Sequence, residues 1–75
     1  MPTAKDMYSC IEAERARRNW TIEEFAEKAG IGEKTYRIWR DTEKPISSTK
    51  LIAIADLFDC SVDYLLGLSD KIRIS

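Results

Sequence analysis

The stretch FAEKAGIGEKTYRIW, Phe25 to Trp39, constrains the fold more than any other part of the chain. Phe25, Ala29, Ile31, Tyr36 and Trp39 are spaced as the apolar positions of two helices joined by a tight turn. Gly30 falls at that turn, where a connection of about three or four residues requires a positive φ that glycine adopts without a Cβ clash. Ala26 is small where the second helix would cross the first, and Ile31 is placed to plug the core beneath the turn. The pattern predicts two short helices meeting at a sharp angle, a helix-turn-helix.

Serine and threonine punctuation places the remaining elements. In WTIEEF, Thr21 can cap a helix starting at about Ile22, Glu24 can reach back to the Thr21 amide, and Trp20 can pack on Phe25 as a hydrophobic staple. The same logic at ISSTKL puts Ser47 at a cap with Ile46 stapled to Leu51, and at CSVDYL puts Ser61 at a cap with Cys60 against Leu65. Upstream, Asp6 to about Arg18 reads as a first helix, with Met7, Cys10 and Ile11 on one side and Arg15, Arg17 and Arg18 near the C-terminal end of the dipole. Leu51, Ile52, Ile54, Ala55, Leu57 and Phe58 cover more than one face of helix 4, which predicts the centre of the core there. Gly67 ends the fifth helix. In the tail KIRIS, Ile72 and Ile74 alternate with polar residues, as in a loosely docked end or a short strand pairing with a second subunit. The expected organisation is a tail over 1–5, an all-α domain over 6–67 and a tail over 68–75.

Composition narrows the function. At 75 residues, 44% hydrophobic and 33% charged, the chain reads as a single globular domain, without room for a ligand-sensing domain beside it. Cys10 and Cys60 form no CxxC pair and no histidine is present, so two reduced thiols in a cytoplasmic setting are expected, with no metal and no cofactor. No window approaches the ~20 apolar residues of a membrane span, and the first residues lack the apolar core of an export signal. The absence of a Gly-rich phosphate loop, GxSxG and HExxH argues against an enzyme.

The combination of AEKAGI, the helix end Trp39-Arg40, the following Pro45 and the closing SVDYLLG resembles the Cro/phage-repressor (XRE-like) helix-turn-helix family over about Ile11 to Gly67. The resemblance implies a compact five-helix, lambda-repressor-like DNA-binding domain and a sequence-specific, repressor-like transcription regulator. Helix 3 (about 32–41) would lie in the major groove of double-stranded DNA, and the protein would act as a homodimer without catalysis. If Tyr36 and Trp39 face inward, Glu33, Lys34, Arg37, Ile38 and Asp41 face outward, with Gly32 at the helix start; these are the family's positions for base and nearby phosphate contacts. Arg37 suits a guanine edge, Lys34 a guanine or phosphate, Glu33 a cytosine amino group and Ile38 a thymine methyl. Thr21 near the helix 2 amides, with Lys44, Ser47, Ser48, Thr49 and Lys50, are the expected phosphate contacts.

The net charge of −1 weighs against DNA, but from Ile31 to Lys50 five basic residues stand against three acidic ones. The alternative is a protein-interaction module, antitoxin-like or regulator-binding, that retains the fold. Similar domains have serine or threonine at the place of Gly32, glutamine at Ile22, glycine at Thr42 and often glutamate at Arg40. Since Arg15 and Arg40 would repel, Glu14 is the expected partner of Arg40.

Overall fold

The structure, a computed structural model, describes residues 3–68. Five helices follow one another: α1 Ala4–Arg17, α2 Ile22–Ala29, α3 Glu33–Asp41, α4 Ser48–Phe58 and α5 Val62–Leu65. The expected all-α, five-helix architecture is the one observed, while the strand-like reading of Ile72 and Ile74 lies outside the described residues.

The caps explain where the helices begin. The Thr21 hydroxyl accepts from the Glu24 N–H at 3.0 Å while the Glu24 carboxylate accepts from the Thr21 N–H at 2.9 Å. Ser47 and Ser61 cap α4 and α5 by accepting from the Lys50 and Tyr64 amides. Helix α1 starts at Ala4 rather than Asp6 because Thr3 and Asp6 form a second capping box. That signal, a threonine followed by an acid at the third helical position, was present in TAKD.

Helix ends share one device. Asn19, Gly30, Glu43, Asp59 and Gly67 all take positive φ. Each N–H bonds back to a carbonyl three residues earlier, and the next residue's N–H bonds to one five residues earlier, as in Ile31 N–H to Ala26 O at 2.8 Å. These paired bonds satisfy the carbonyls left over at each C-terminus.

Ile11, Phe25, Tyr36, Ile54, Phe58 and Leu65 are fully buried. Trp20 stacks on Phe58 (6.0 Å between ring centroids), Phe58 stacks on Phe25 (5.5 Å), and Tyr36 meets Phe25 edge-on at 5.1 Å and Tyr8 at 6.2 Å. This aromatic chain joins α4, α2, α3 and α1, each contact adding ~0.5–1.5 kcal/mol beyond its buried area. The Trp20 staple is therefore relayed to Phe25 through Phe58. In α4, Leu51, Ile54, Ala55 and Phe58 form one buried stripe, whereas Ile52, expected in the core, is 54% exposed because its register points it away.

Glu14 does not pair with Arg40. It is 3% exposed and accepts from Arg17, from Arg18 at 2.8 Å and from the Tyr64 hydroxyl at 2.9 Å, while Arg18 also donates to the Phe58 carbonyl. Arg40 donates instead to Glu12, at 3.2 Å. Residues two apart lie on nearly opposite sides of a helix, so Glu12 faces α3 and Glu14 faces α5. Glu12 also accepts from Arg15 (3.1 and 3.2 Å) and the Tyr36 hydroxyl (2.7 Å), so one carboxylate stands between the two arginines.

Candidate nucleic-acid interface

The α2–α3 turn sets the angle of α3. Gly30 has φ 72°, and Ile31 is buried beneath it. Lys50, from the first turn of α4, donates through Nζ to the Gly30 carbonyl at 2.8 Å, tying the turn to the neighbouring helix. At the far end of α3, Arg40 and Tyr36 are held by Glu12 of α1.

Between these anchors, Tyr36 is buried and Trp39 half-buried. Gly32, Lys34, Arg37, Ile38 and Asp41 are exposed, and Glu33 is half-exposed at their edge. Ile38 is 60% exposed, comparably to Ile52 and Leu68 elsewhere, and is available for contact. Arg37 Nε donates to Glu33 Oε2 at 2.9 Å, and Asp41 accepts from Arg40 at 3.2 Å. Thr35, also exposed on α3, was not among the expected contacts; helical register alone places it beside Ile38.

The expected phosphate contacts fall into two groups. Lys44, Ser47, Ser48 and Thr49 are exposed at the α3–α4 connection and the start of α4, whose first turn holds no acidic residue. Its amide end is thus an uncompensated positive pole. Thr21 sits at the start of α2, where Glu23 and Glu24 crowd the first turn and Glu24 occupies the Thr21 amide. The Thr21 amide and then the Thr21 hydroxyl bond the Glu24 carboxylate, and together they hold its carboxyl below the ordinary value. Lys50, counted as a phosphate contact from sequence, has its ammonium engaged by Gly30.

Burial alone would raise the Glu12 pKa, but bonds from Arg15 and Tyr36 and the charge of Arg40 outweigh it and hold the carboxyl below its ordinary value. Burial also would raise Glu14, and Arg18, Tyr64 and Arg17 reverse that shift. Burial pushes the Cys60 thiol up to about 11 and raises Cys10, so neither is a ready nucleophile. Among the described residues no cluster of His, Cys, Asp or Glu could hold a metal ion, and no helix is long and apolar enough to cross a membrane.

Two comparisons place the chain. Residues 11–65 match the family model described as helix-turn-helix. The uncharacterized HTH-type transcriptional regulator YobD of Bacillus subtilis is 44% identical over 50 residues, 67% of this chain and 45% of that protein. The probable transcriptional regulator SyrB of Sinorhizobium fredii is 35% identical over 77 residues (91% and 52%), and the HTH-type transcriptional regulator AnsR of Bacillus subtilis 36% over 53 residues (71% and 46%). The chain spans about half the length of the curated relatives it matches. No solved structure matches it. With the turn, the crossing helices and the family match in agreement, the chain belongs to the helix-turn-helix family.

Proposed function

We infer that this chain is the DNA-binding part of a sequence-specific transcription regulator, repressor-like and without catalytic activity, acting in the cytoplasm. The observation that carries this reading is the outward face of α3, where Lys34, Arg37 and Ile38 project between two structural anchors. In this reading α3 enters the major groove of double-stranded DNA, with Gly32, Glu33, Lys34, Arg37, Ile38 and Asp41 at the base edges. Lys44, Ser47, Ser48 and Thr49 grip phosphates at the start of α4, and the Thr21 hydroxyl does so at α2. Lys50 serves first to hold the turn, and its charge adds to the phosphate side.

Two copies on a two-fold site complete the reading. Doubling the modest positive surface of one copy supplies the affinity that a chain of net charge −1 lacks alone.

The test is a fluorescence titration against genomic duplexes at two salt concentrations. Affinity should fall steeply with salt, and Arg37→Ala and Lys34→Ala should each weaken binding about fivefold or more. Unchanged affinity in both variants would dismiss the assigned reading face. A second reading, a protein-interaction module of antitoxin-like or regulator-binding type, is favoured by the carboxylates that already engage Arg37 and Arg40. It requires salt-insensitive or absent DNA binding in the same titration.

A further inference from the structure

Arg37 does not stand free on α3. Its Nε donates to Glu33 Oε2 at 2.9 Å, one turn earlier on the same face, and both side chains are partly exposed. Its two terminal amino groups make no hydrogen bond among the described residues. A guanidinium held at Nε keeps those terminal groups as its free end, the arrangement that can donate to O6 and N7 of one guanine together. An arginine without such a hold samples phosphates and base edges alike, because its long stem has many rotamers. The carboxylate has a second effect: beside the DNA backbone it repels phosphates, so a duplex offering Arg37 no guanine gains little from it.

We propose that Glu33 is a specificity-determining positioning residue, which orients Arg37 through the Nε bond toward a guanine edge and by its charge weakens binding to DNA lacking that guanine. The proposal rests on α3 reading DNA as inferred above. It assigns Glu33 a role through Arg37 rather than as a reader of cytosine.

The test starts from duplexes selected by the wild-type protein out of a random pool. Wild type, Glu33→Gln and Glu33→Ala are titrated with the selected duplex, with the same duplex carrying adenine for the guanine, and with random duplex, at two salt concentrations. The Arg37 Nε–H resonance is followed in parallel. Wild type should prefer the guanine duplex about tenfold or more. Glu33→Ala should lose most of that preference, bind random duplex severalfold more tightly and show a steeper salt dependence. Glu33→Gln keeps an oxygen for the Nε–H but not the charge, so it should retain more of the preference than Glu33→Ala and share the gain on random duplex. A wild-type preference in Glu33→Ala overturns the proposal, as does equal loss in both variants. If wild type shows no salt-sensitive DNA binding, the DNA reading itself fails; that result is distinct, because the Nε–H resonance still reports whether the Glu33 bond exists.

Discussion

Glu14 shows how far one side chain can depart from its surroundings. A carboxylate at 3% exposure is tolerated because two guanidinium groups and a hydroxyl meet it, and the same groups tie α1 to α5 and to the end of α4. Truncation leaves Arg18 and Tyr64 facing a void, so Glu14→Ala should lower unfolding free energy by about 3 kcal/mol, measured by urea denaturation. The sequence suggests Glu14 as the partner of Arg40, and the structure gives that place to Glu12. The reason is local: Glu12 and Glu14 are equivalent in composition, and only the rotation of α1 against α3 and α5 decides which carboxylate meets which arginine. Glu12, now seen to bridge Arg15, Arg40 and Tyr36, was absent from the sequence reading altogether.

Helix starts were legible in the sequence, since Thr21, Ser47 and Ser61 each fall where a hydroxyl is needed and each forms the cap. The ends of the first and third helices fall close to the expected Arg18 and Asp41, but the left-handed residue that closes a helix was legible only at Gly30 and Gly67; Asn19, Glu43 and Asp59 adopt the same positive φ without that signature. Glu43, at φ 55°, is the least suited of these, because glutamate lacks the short side chain that eases asparagine and aspartate into this region. Glu43→Gly should therefore raise stability by up to about 1 kcal/mol, net of the extra freedom glycine gives the unfolded chain, seen as a higher thermal midpoint. At the start of α3, Gly32 has ordinary extended backbone and makes no side-chain cap. A Cβ there would meet only the Thr35 side chain, Oγ1 at 3.5 Å and Cβ at 3.9 Å, both ordinary contacts. Gly32→Ser should fit and add a few tenths of a kcal/mol, read by chemical denaturation. The outward face of α3 was also legible, because period and turn fix its register, whereas the Glu33–Arg37 bond across that face required side-chain geometry.

Across the whole molecule, carboxyl groups held low in the fold make stability depend on pH: Glu24 in its exposed capping box, and the more enclosed Glu12 and Glu14. Glu12 and Glu14 are both held below the ordinary value of 4.5, so protonation favours the unfolded chain. Their contribution is complete above the ordinary carboxylate range and is lost as pH falls through their lower folded values. Thermal midpoints should be flat from about pH 7 to pH 5 and drop below about pH 4, and Glu12→Gln should shrink that drop. The two ends of α3 are fastened to different neighbours: Glu12 holds the end bearing Arg40, and Lys50 clasps the turn at Gly30. Because Lys50 belongs to α4, the helix whose exposed start is proposed to contact phosphates is joined by a hydrogen bond to the turn that precedes α3. On the proposed reading, the helix that reads and the helix that grips are thus already tied to each other, and engaging a duplex with both would require less separate ordering of one against the other.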